Sequence, residues 1–141
     1  MERGLQRIFS ELPARYERIN HILTFGLDLL WRERAARVAA AGGGGRWIDL
    51  CSGTGEMAIL LKRLGGAERL LAATDFSVEM AAAALTKPEF EGIEYVLSEI
   101  EALPFPDETF DLAVISFATR NIGPDRARLI DNFREIRRIL R

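Results

Sequence analysis

Two glycines stand one residue apart, at Gly53 and Gly55, directly after a short apolar run. The run, Trp47 to Cys51, has the length of a buried strand, and residues with the spacing of a helix follow it: Met57, Leu60, Leu61 and Leu64. A glycine-rich turn between a strand and a helix lets the backbone approach a ligand closely. Asp49 lies inside the apolar run, where an unpaired carboxylate is costly. We therefore expect Asp49 and the two glycines to bind a ligand.

Polar residues stand at the ends of four predicted strands. They are Thr54, Asp75, Glu99 and Ser116, in chain order. In parallel α/β sheets, ligands bind beyond the carboxyl ends of the strands, where the strand order reverses. We expect the four residues to share one site there. Three of them also have a purely structural interpretation: Asp75 as a helix cap, Glu99 as a solvated loop acid and Ser116 as a core residue.

Two classes of cofactor fit this pattern. Gly53 to Ala58 matches the G-x-G-x-x-G/A dinucleotide pattern, and Asp75 follows about 20 residues later. The pyrophosphate of a dinucleotide favours neutral or positive surroundings, however, and Asp49 and Glu99 are carboxylates beside its path. S-adenosylmethionine carries an ammonium, a sulfonium, a ribose diol and an adenine amine, which carboxylates complement. The acids therefore favour S-adenosylmethionine.

Strand and helix patterns alternate from residue 46 onward, which predicts an α/β fold with a mainly parallel sheet. The predicted strands cover 46–51, 69–74, 93–97 and 110–116, and the last is apolar enough to be buried on both faces. The predicted helices cover 55–64, a segment from Ser77 to Lys87 and a segment that starts at Pro124. The last helix has an apolar stripe: Leu129, Ile130, Phe133, Ile136 and Leu140.

The sequence predicts a helical segment over residues 1–41 before this core, which spans 46–141, and we expect the two to form one domain. Apolar spacing predicts two short amphipathic helices with a break near Pro13, then a third helix with Asp28 as its cap. Its apolar positions are Leu27, Leu30, Trp31, Ala35 and Val38. The segment either covers one edge of the core or forms a lid over an apolar substrate. Its aromatic content favours the lid.

Composition excludes several classes of protein. A net charge of −2 lacks the basic surface expected of a nucleic-acid-binding protein. One cysteine, Cys51, excludes an internal disulfide, and one histidine, His21, leaves few soft ligands for a metal. No apolar run approaches the roughly 20 residues of a membrane helix, and Met1–Gly4 does not open a signal peptide. We expect a cytoplasmic protein, with its oligomeric state left open between monomer and homo-oligomer.

Several segments together resemble the ubiquinone/menaquinone biosynthesis C-methyltransferases. They are Ile8–Ser10, Tyr16, Ile19–Asn20, Thr24–Asp28, Trp31–Arg32, Asp49–Gly55, Leu103–Asp107, Phe110–Asp111 and Ile115–Asn121. The resemblance implies a class I methyltransferase with a Rossmann-like doubly wound parallel sheet and N-terminal helices. The family's fold continues through three more strands, so the resemblance also implies that the C-terminal strands are missing here.

By position, the resemblance implies a division of roles between two groups of residues. Those for the cofactor are Thr54, Asp75, Glu99, Ile100 and Ser116, and those for the substrate are Tyr16, Asn20, Arg32, Arg120 and Asn121. The implied acceptor is a prenylated dihydroquinone, either demethylmenaquinol or a ubiquinone precursor. Three residues depart from the family pattern: Glu17, Glu99 and Ala118. Glu99 stands where the family usually has the shorter Asp or Asn, so the distance over which its carboxylate extends toward adenine differs from the family pattern.

The implied reaction gives Arg120 a catalytic role. Its guanidinium would stabilise the phenolate that forms when the acceptor ring loses a proton, because an arginine is too basic to take that proton. The alternative for Arg120 is a salt bridge that braces the end of strand four. Other readings of the whole chain are a different small-molecule methyltransferase, or a non-catalytic cofactor-binding fragment. The prenyl tail of the acceptor also suggests peripheral membrane contact through the N-terminal helices.

Overall fold

A computed structural model of the chain describes residues 22, 24–66, 68–118, 123 and 125–141. The strands are β1 (Arg46–Leu50), β2 (Leu70–Asp75), β3 (Glu94–Leu97) and β4 (Leu112–Ile115). The helices are α1 (Leu27–Ala41), α2 (Glu56–Gly65), α3 (Val78–Leu85) and α4 (Arg126–Ile139), with a 3-10 turn at Pro88–Phe90. This alternation confirms the predicted α/β class. The two helices predicted on either side of Pro13 fall outside the described residues.

The four strands form one parallel sheet in the order β3-β2-β1-β4. Successive strands step outward from β1 through β2 to β3, and the chain then returns to place β4 on the other side of β1. The strand order therefore reverses between β1 and β4, which is where ligands bind in such sheets. Leu50 pairs with both Thr74 and Ile115, so the ends of β1, β2 and β4 lie level at one edge.

Hydrophobic clusters cover both faces of the sheet. Trp47 of β1 packs with residues of α1, α2 and α3, including Ala36, Leu61 and Ala84. Ile48, the next residue, points to the opposite face because side chains alternate along a strand, and there it packs with Ile136 of α4. Helices on both faces of a parallel sheet make the fold the predicted Rossmann-like doubly wound one.

The prediction that strand four is buried on both faces is confirmed in part, since β4 packs against the cluster on each face of the sheet, through Leu112 and Val114 on one and Ala113 and Ile115 on the other. All residues of β4 are only half-buried, because β4 pairs with β1 on one side and forms an edge of the four-stranded sheet. Phe110, just before β4, forms an isolated parallel bridge with Leu140. The apolar sequence of β4 correctly indicated a strand, but its degree of burial depends on neighbours.

The apolar residues whose spacing predicted α1 do not form its buried face, although the helix itself is confirmed. Leu30, Trp31 and Val38 are largely exposed, whereas Asp28 and Ala36 are buried against the core. Asp28 does not cap the helix. The N-cap is Gly26, with a φ of 77°, and Asp28 Oδ1 accepts a hydrogen bond from Thr24 Oγ1 at 2.8 Å.

Helix α4 begins with a cap that the sequence pattern did not predict. The side chain of Asp125 accepts a hydrogen bond from the amide of Arg128 at 2.9 Å, an N-cap interaction. The predicted start at Pro124 lies outside the described residues. The predicted stripe is partly wrong, because Phe133 is half exposed while Asn132 and Ile139 are buried. The buried face is thus rotated by about one residue.

The guanidinium of Arg138 on α4 forms several hydrogen bonds with the loop that follows β3. It donates to the carbonyls of Leu103 at 3.0 Å and Phe105 at 2.8 Å, and to the carboxylates of Asp107 at 2.8 Å and Glu135 at 2.7 Å. Glu135 in turn accepts from the amide of Leu103 at 2.9 Å. The bonds from Arg138 lower the pKa of the Glu135 carboxyl. The planar guanidinium can serve all these acceptors at once, which an ammonium group cannot.

We predict that Arg138→Met lowers the melting temperature by about 5 °C, because several acceptors lose their donor together. Thermal unfolding followed by circular dichroism measures this shift. Arg134→Met is the matched control, since Arg134 pairs with Asp131 on the exposed surface of the same helix. That variant should shift the melting temperature by about 1 °C at most. Equal shifts in the two variants would contradict the assigned role of Arg138.

Candidate functional site

A tight turn with left-handed backbone conformations leaves β1. The φ angles are 53° at Cys51, 56° at Gly53 and 86° at Gly55. The strand predicted to reach Cys51 therefore ends at Leu50. At Gly55, an added Cβ would lie 2.5 Å from Cε2 of Phe90, so a side chain does not fit. The glycine at this position is needed both for its conformation and for the close contact.

The backbone at Gly53 is more open than at Gly55. An added Cβ there would meet no atom closer than Met80 Sδ, at 4.0 Å. Thr54, the next residue, is buried just before α2 begins. Amide groups at the N-terminus of a helix favour an anionic or electron-rich ligand group. The turn thus combines open backbone at Gly53 with a helix N-terminus.

The acid predicted at the end of β2 supports this turn directly. Asp75 Oδ2 accepts from the amide of Gly53 at 3.0 Å, and Oδ1 accepts from the amide of Ser77 at 3.0 Å. Burial raises the pKa of the Asp75 carboxyl, against the effect of these backbone bonds. The cap of α3 is Ser77, whose Oγ accepts from the amide of Met80 at 3.2 Å, as predicted. Each Asp75 oxygen keeps a lone pair that can accept from a ligand hydroxyl.

The other predicted strand-end residues lie at the same edge of the sheet. The amide of Ser98 donates to the carbonyl of Asp75 at 3.0 Å, which brings the residues after β3 beside the end of β2. Glu99 is exposed there, and Ile100 packs partly into the core under the sheet. Ser116 follows β4 directly and is half-buried. The structure thus places all four strand-end residues at one edge.

Asp49 is fully buried in the central strand. Its Oδ2 accepts from Ser52 Oγ at 2.6 Å, whereas Oδ1 has no hydrogen-bond partner within the described part of the chain. Burial raises the pKa of this carboxyl to about 7, and outweighs the Ser52 bond, the Ala58 amide and the charge of Arg32. A buried carboxylate with one unpaired oxygen suits a ligand that brings a positive charge or a donor.

Arg32 connects α1 to the switch point between β1 and β4. Its Cζ lies 4.7 Å from the ring centroid of Phe117, which follows β4 and has a φ of 58°. The charge of Arg32 also lowers the pKa of Asp49, so the two groups are electrostatically coupled. The Nε of Arg32 is buried and has no hydrogen-bond partner in the described ranges. Arg32 therefore has a donor available at the position where strand order reverses.

Two residues that support the turn were missed by the sequence reasoning. Tyr95 of β3 donates its hydroxyl to the carbonyl of Gly53 at 2.8 Å. Lys87 Nζ donates to the carbonyl of Thr54 at 2.9 Å and to Glu56 Oε1 at 2.6 Å. In the sequence, Tyr95 is one residue of a strand and Lys87 is the end of a helix. No local pattern indicated either contact, because the partners lie far apart in the chain.

Four predicted residues fall outside the described residues: Tyr16, Asn20, Arg120 and Asn121. In the part that is described, no group of three histidine, cysteine or acidic residues is placed to hold a metal ion. The donors and acceptors that are present fit S-adenosylmethionine. Asp49 has an unpaired buried oxygen, Gly53 has open backbone, and Asp75 and Glu99 offer carboxylates.

Comparison with known sequences gives the family to which the chain is similar. It matches the ubiE/COQ5 methyltransferase family over residues 1–141. A demethylmenaquinone methyltransferase of Thermus thermophilus is 43% identical over 119 residues, which cover 82% of this chain and 53% of the relative. A ubiquinone/menaquinone biosynthesis C-methyltransferase of Rubrivivax gelatinosus is 34% identical over 140 residues, covering 99% of this chain and 53% of the relative. The chain therefore spans about half the length of these curated relatives.

Solved structures share the fold. An S-adenosylmethionine-dependent methyltransferase from Mesorhizobium loti superposes with a TM-score of 0.55 at 32% identity, over 70% of this chain and 42% of that chain. A methyltransferase from Aquifex aeolicus has a TM-score of 0.61 at 23% identity, over 74% of this chain and 56% of that one, and shows the fold alone. Both support the doubly wound architecture.

We predict that Asp49→Asn stabilises the chain at pH 8 and weakens ligand binding. The folded-state pKa of Asp49 is raised from 3.8 to about 7, so wild-type stability falls as pH rises between these values. The stability difference between the variant and the wild type should grow by roughly 3 kcal/mol from pH 5 to pH 8. Urea unfolding at several pH values measures this difference.

Asp111→Asn is the control for this measurement. Asp111 accepts from the amides of Gly45 and Arg46, which lower the pKa of its carboxyl. Its contribution is present above the unfolded-state pKa and is lost only as the pH falls below that value. The Asp111→Asn difference should therefore stay constant from pH 5 to pH 8. If the stability difference between Asp49→Asn and the wild type also stayed constant over this range, the pKa of Asp49 would not be raised.

Proposed function

The chain belongs to the ubiE/COQ5 methyltransferase family, and we propose that it binds S-adenosylmethionine and methylates a ring carbon of a prenylated dihydroquinone. The observation that supports the cofactor best is the buried Asp49 carboxylate, whose Oδ1 is unpaired, beside the open backbone at Gly53. The acceptor class is supported by the relatives, one of which is named a demethylmenaquinone methyltransferase. Demethylmenaquinol and a ubiquinone precursor are both acceptors of this class.

Each strand-end residue would contact a different part of the cofactor. Asp75 would accept from the ribose hydroxyls through the free lone pairs of its carboxylate, and Glu99 with the Ile100 backbone would meet the adenine. Asp49 would complement the positive charge of the ligand, and Ser116 would close the site on the β4 side. This division pairs each acid with the donors of S-adenosylmethionine. Glu99 is exposed at this end of the sheet, where its carboxylate is accessible to a ligand.

The bound cofactor supplies an electrophilic methyl group, and the protein must align an acceptor carbon with it. Alignment can remove a large part of the activation barrier of such a displacement. Arg32, whose guanidinium lies over the ring of Phe117 at the switch point, would orient the acceptor ring. Arg120 would stabilise the phenolate that makes the ring carbon nucleophilic. Tyr16, Asn20 and Asn121 would bind the acceptor as well.

A prenylated acceptor also requires an apolar route to the site. Leu27, Leu30 and Trp31 of α1 are exposed, and α1 carries Arg32 at the switch point. In the described ranges, no helix is long and apolar enough to span a membrane. Because these apolar side chains of α1 are exposed, we propose that α1 contacts the prenyl tail of the acceptor or lies peripherally on the surface of a membrane.

The function is tested by incubating the chain with S-adenosylmethionine labelled in its methyl group and with demethylmenaquinol. We expect label in the quinol. Arg120→Ala should lower turnover about 100-fold, because a donor to the phenolate is lost. Its dissociation constant for S-adenosylhomocysteine should stay within about twofold, because the interaction is made in the transition state.

Arg126→Ala is the control, since Arg126 is exposed at the start of α4, close to Arg120 in the chain. Turnover and affinity should both be unchanged in this variant. If the wild type binds S-adenosylhomocysteine but transfers no label, the chain is a cofactor-binding unit without catalysis. If Arg120→Ala abolishes binding, Arg120 belongs to the cofactor site or to the fold.

A further inference from the structure

Gly53 is held at both of its polar groups by side chains from other strands. Its carbonyl accepts from the Tyr95 hydroxyl at 2.8 Å, and its amide donates to Asp75 Oδ2 at 3.0 Å. Gly53 has a φ of 56°, and a glycine has few conformational restraints of its own. The orientation of this residue therefore depends on Tyr95 of β3 and Asp75 of β2.

The carbonyl of Gly53 and the amide of Thr54 belong to the same peptide group. A trans peptide is planar, and its C=O and N–H bonds point in opposite directions. A hydroxyl that fixes the Gly53 carbonyl consequently directs the Thr54 amide away from Tyr95. The next peptide is held at both of its polar groups, because Lys87 Nζ donates to the Thr54 carbonyl at 2.9 Å and the Gly55 amide donates to the Ser52 carbonyl at 3.0 Å. Lys87 therefore helps to hold the turn in the conformation that presents the Thr54 amide.

Packing holds these two donors in place behind the turn. The ring centroids of Phe90 and Tyr95 lie 5.7 Å apart, and the Phe90 ring also packs against Gly55. Lys87 forms an ion pair with Glu56 at 2.6 Å, which limits the positions open to its ammonium group. Burial, with the nearby charge of Asp75, raises the pKa of the Tyr95 hydroxyl, which therefore remains a donor.

The chemistry of the turn indicates which part of the ligand it meets. Amides at the N-terminus of α2 favour a negative charge. The only anionic group of S-adenosylmethionine is the carboxylate of its amino-acid end, whereas its ribose and adenine carry donors that suit Asp75 and Glu99. The amino-acid end is therefore the part that depends most on the orientation of the turn.

We propose that Tyr95 and Lys87 are positioning residues, which set the affinity for the amino-acid end of the cofactor by orienting the two peptide groups of the Gly53–Gly55 turn. Neither side chain needs to touch the ligand, since each acts through a backbone carbonyl. This inference rests on the proposed function, because it assumes that S-adenosylmethionine binds at the turn. It assigns to two residues a role that the sequence pattern did not indicate.

The test compares two ligands by isothermal titration calorimetry. S-adenosylhomocysteine has the amino-acid end, and 5′-methylthioadenosine has the same adenosine and thioether but lacks it. Tyr95→Phe keeps the ring and its packing on Phe90, and removes only the hydroxyl. We expect this variant to lower the affinity for S-adenosylhomocysteine about 10-fold. Its affinity for methylthioadenosine should stay within about twofold of the wild-type value.

Thr109→Val is the matched control, because Thr109 Oγ1 also donates to a backbone carbonyl, that of Pro106 at 2.7 Å, away from the turn. Its affinities for both ligands should be unchanged. Lys87→Met gives a second, independent variant, in which we expect the same selective loss. Thermal unfolding of each variant shows whether it is folded under the conditions of the titration.

The outcomes separate this inference from the function on which it rests. Unchanged affinity of Tyr95→Phe and Lys87→Met for S-adenosylhomocysteine would overturn the inference alone. An equal loss for both ligands would also overturn it, because the two residues would then only support the fold. Absence of S-adenosylhomocysteine binding by the wild type would overturn the proposed cofactor site, and the inference with it.

Discussion

A carboxylate is buried in the central strand of the sheet with only one of its two oxygens hydrogen-bonded. Asp49 lies in β1, between β2 and β4, and burial raises the pKa of its carboxyl to about 7. Such a group destabilises the folded chain at neutral pH, and natural proteins keep unfavourable features of this kind mainly at functional sites. The open glycine turn, Asp75 and Arg32 all lie around it. The site is thus built around one carboxylate that a cationic ligand would satisfy.

The sequence predicted the architecture well, because the signals for it are local. Apolar runs indicated the four strands, and the N-cap at Ser77 was correct. Burial was predicted less well. The apolar positions of α1 are exposed, and β4 is half-buried, since burial depends on which neighbours are present. Periodicity shows which residues share a face of an element, but the rest of the fold decides whether that face is covered.

The same distinction applies to the site. The positions of Asp75, Glu99 and Ser116 were predictable because each lies at or within two residues of the end of a strand, and the ends of parallel strands meet at one edge. Arg32 was predicted as a site residue only from the family resemblance. Its contact with Phe117 depends on how α1 packs against the sheet. Tyr95 supports a carbonyl 42 residues earlier in the chain, so no spacing rule could find it. Residues at the strand ends were thus easier to place from the sequence than residues that support the turn from a distance.

We infer that the acid-lined turn binds S-adenosylmethionine and not a dinucleotide. Backbone amide spectra of the labelled chain, recorded during titration with S-adenosylhomocysteine and separately with NADH, test this most directly. We expect S-adenosylhomocysteine to shift the amides of Gly53, Thr54 and the residues next to Asp75 and Glu99, and NADH to leave them unchanged. Saturable shifts of the same amides with NADH, or shifts with S-adenosylhomocysteine only at other positions, would contradict the account.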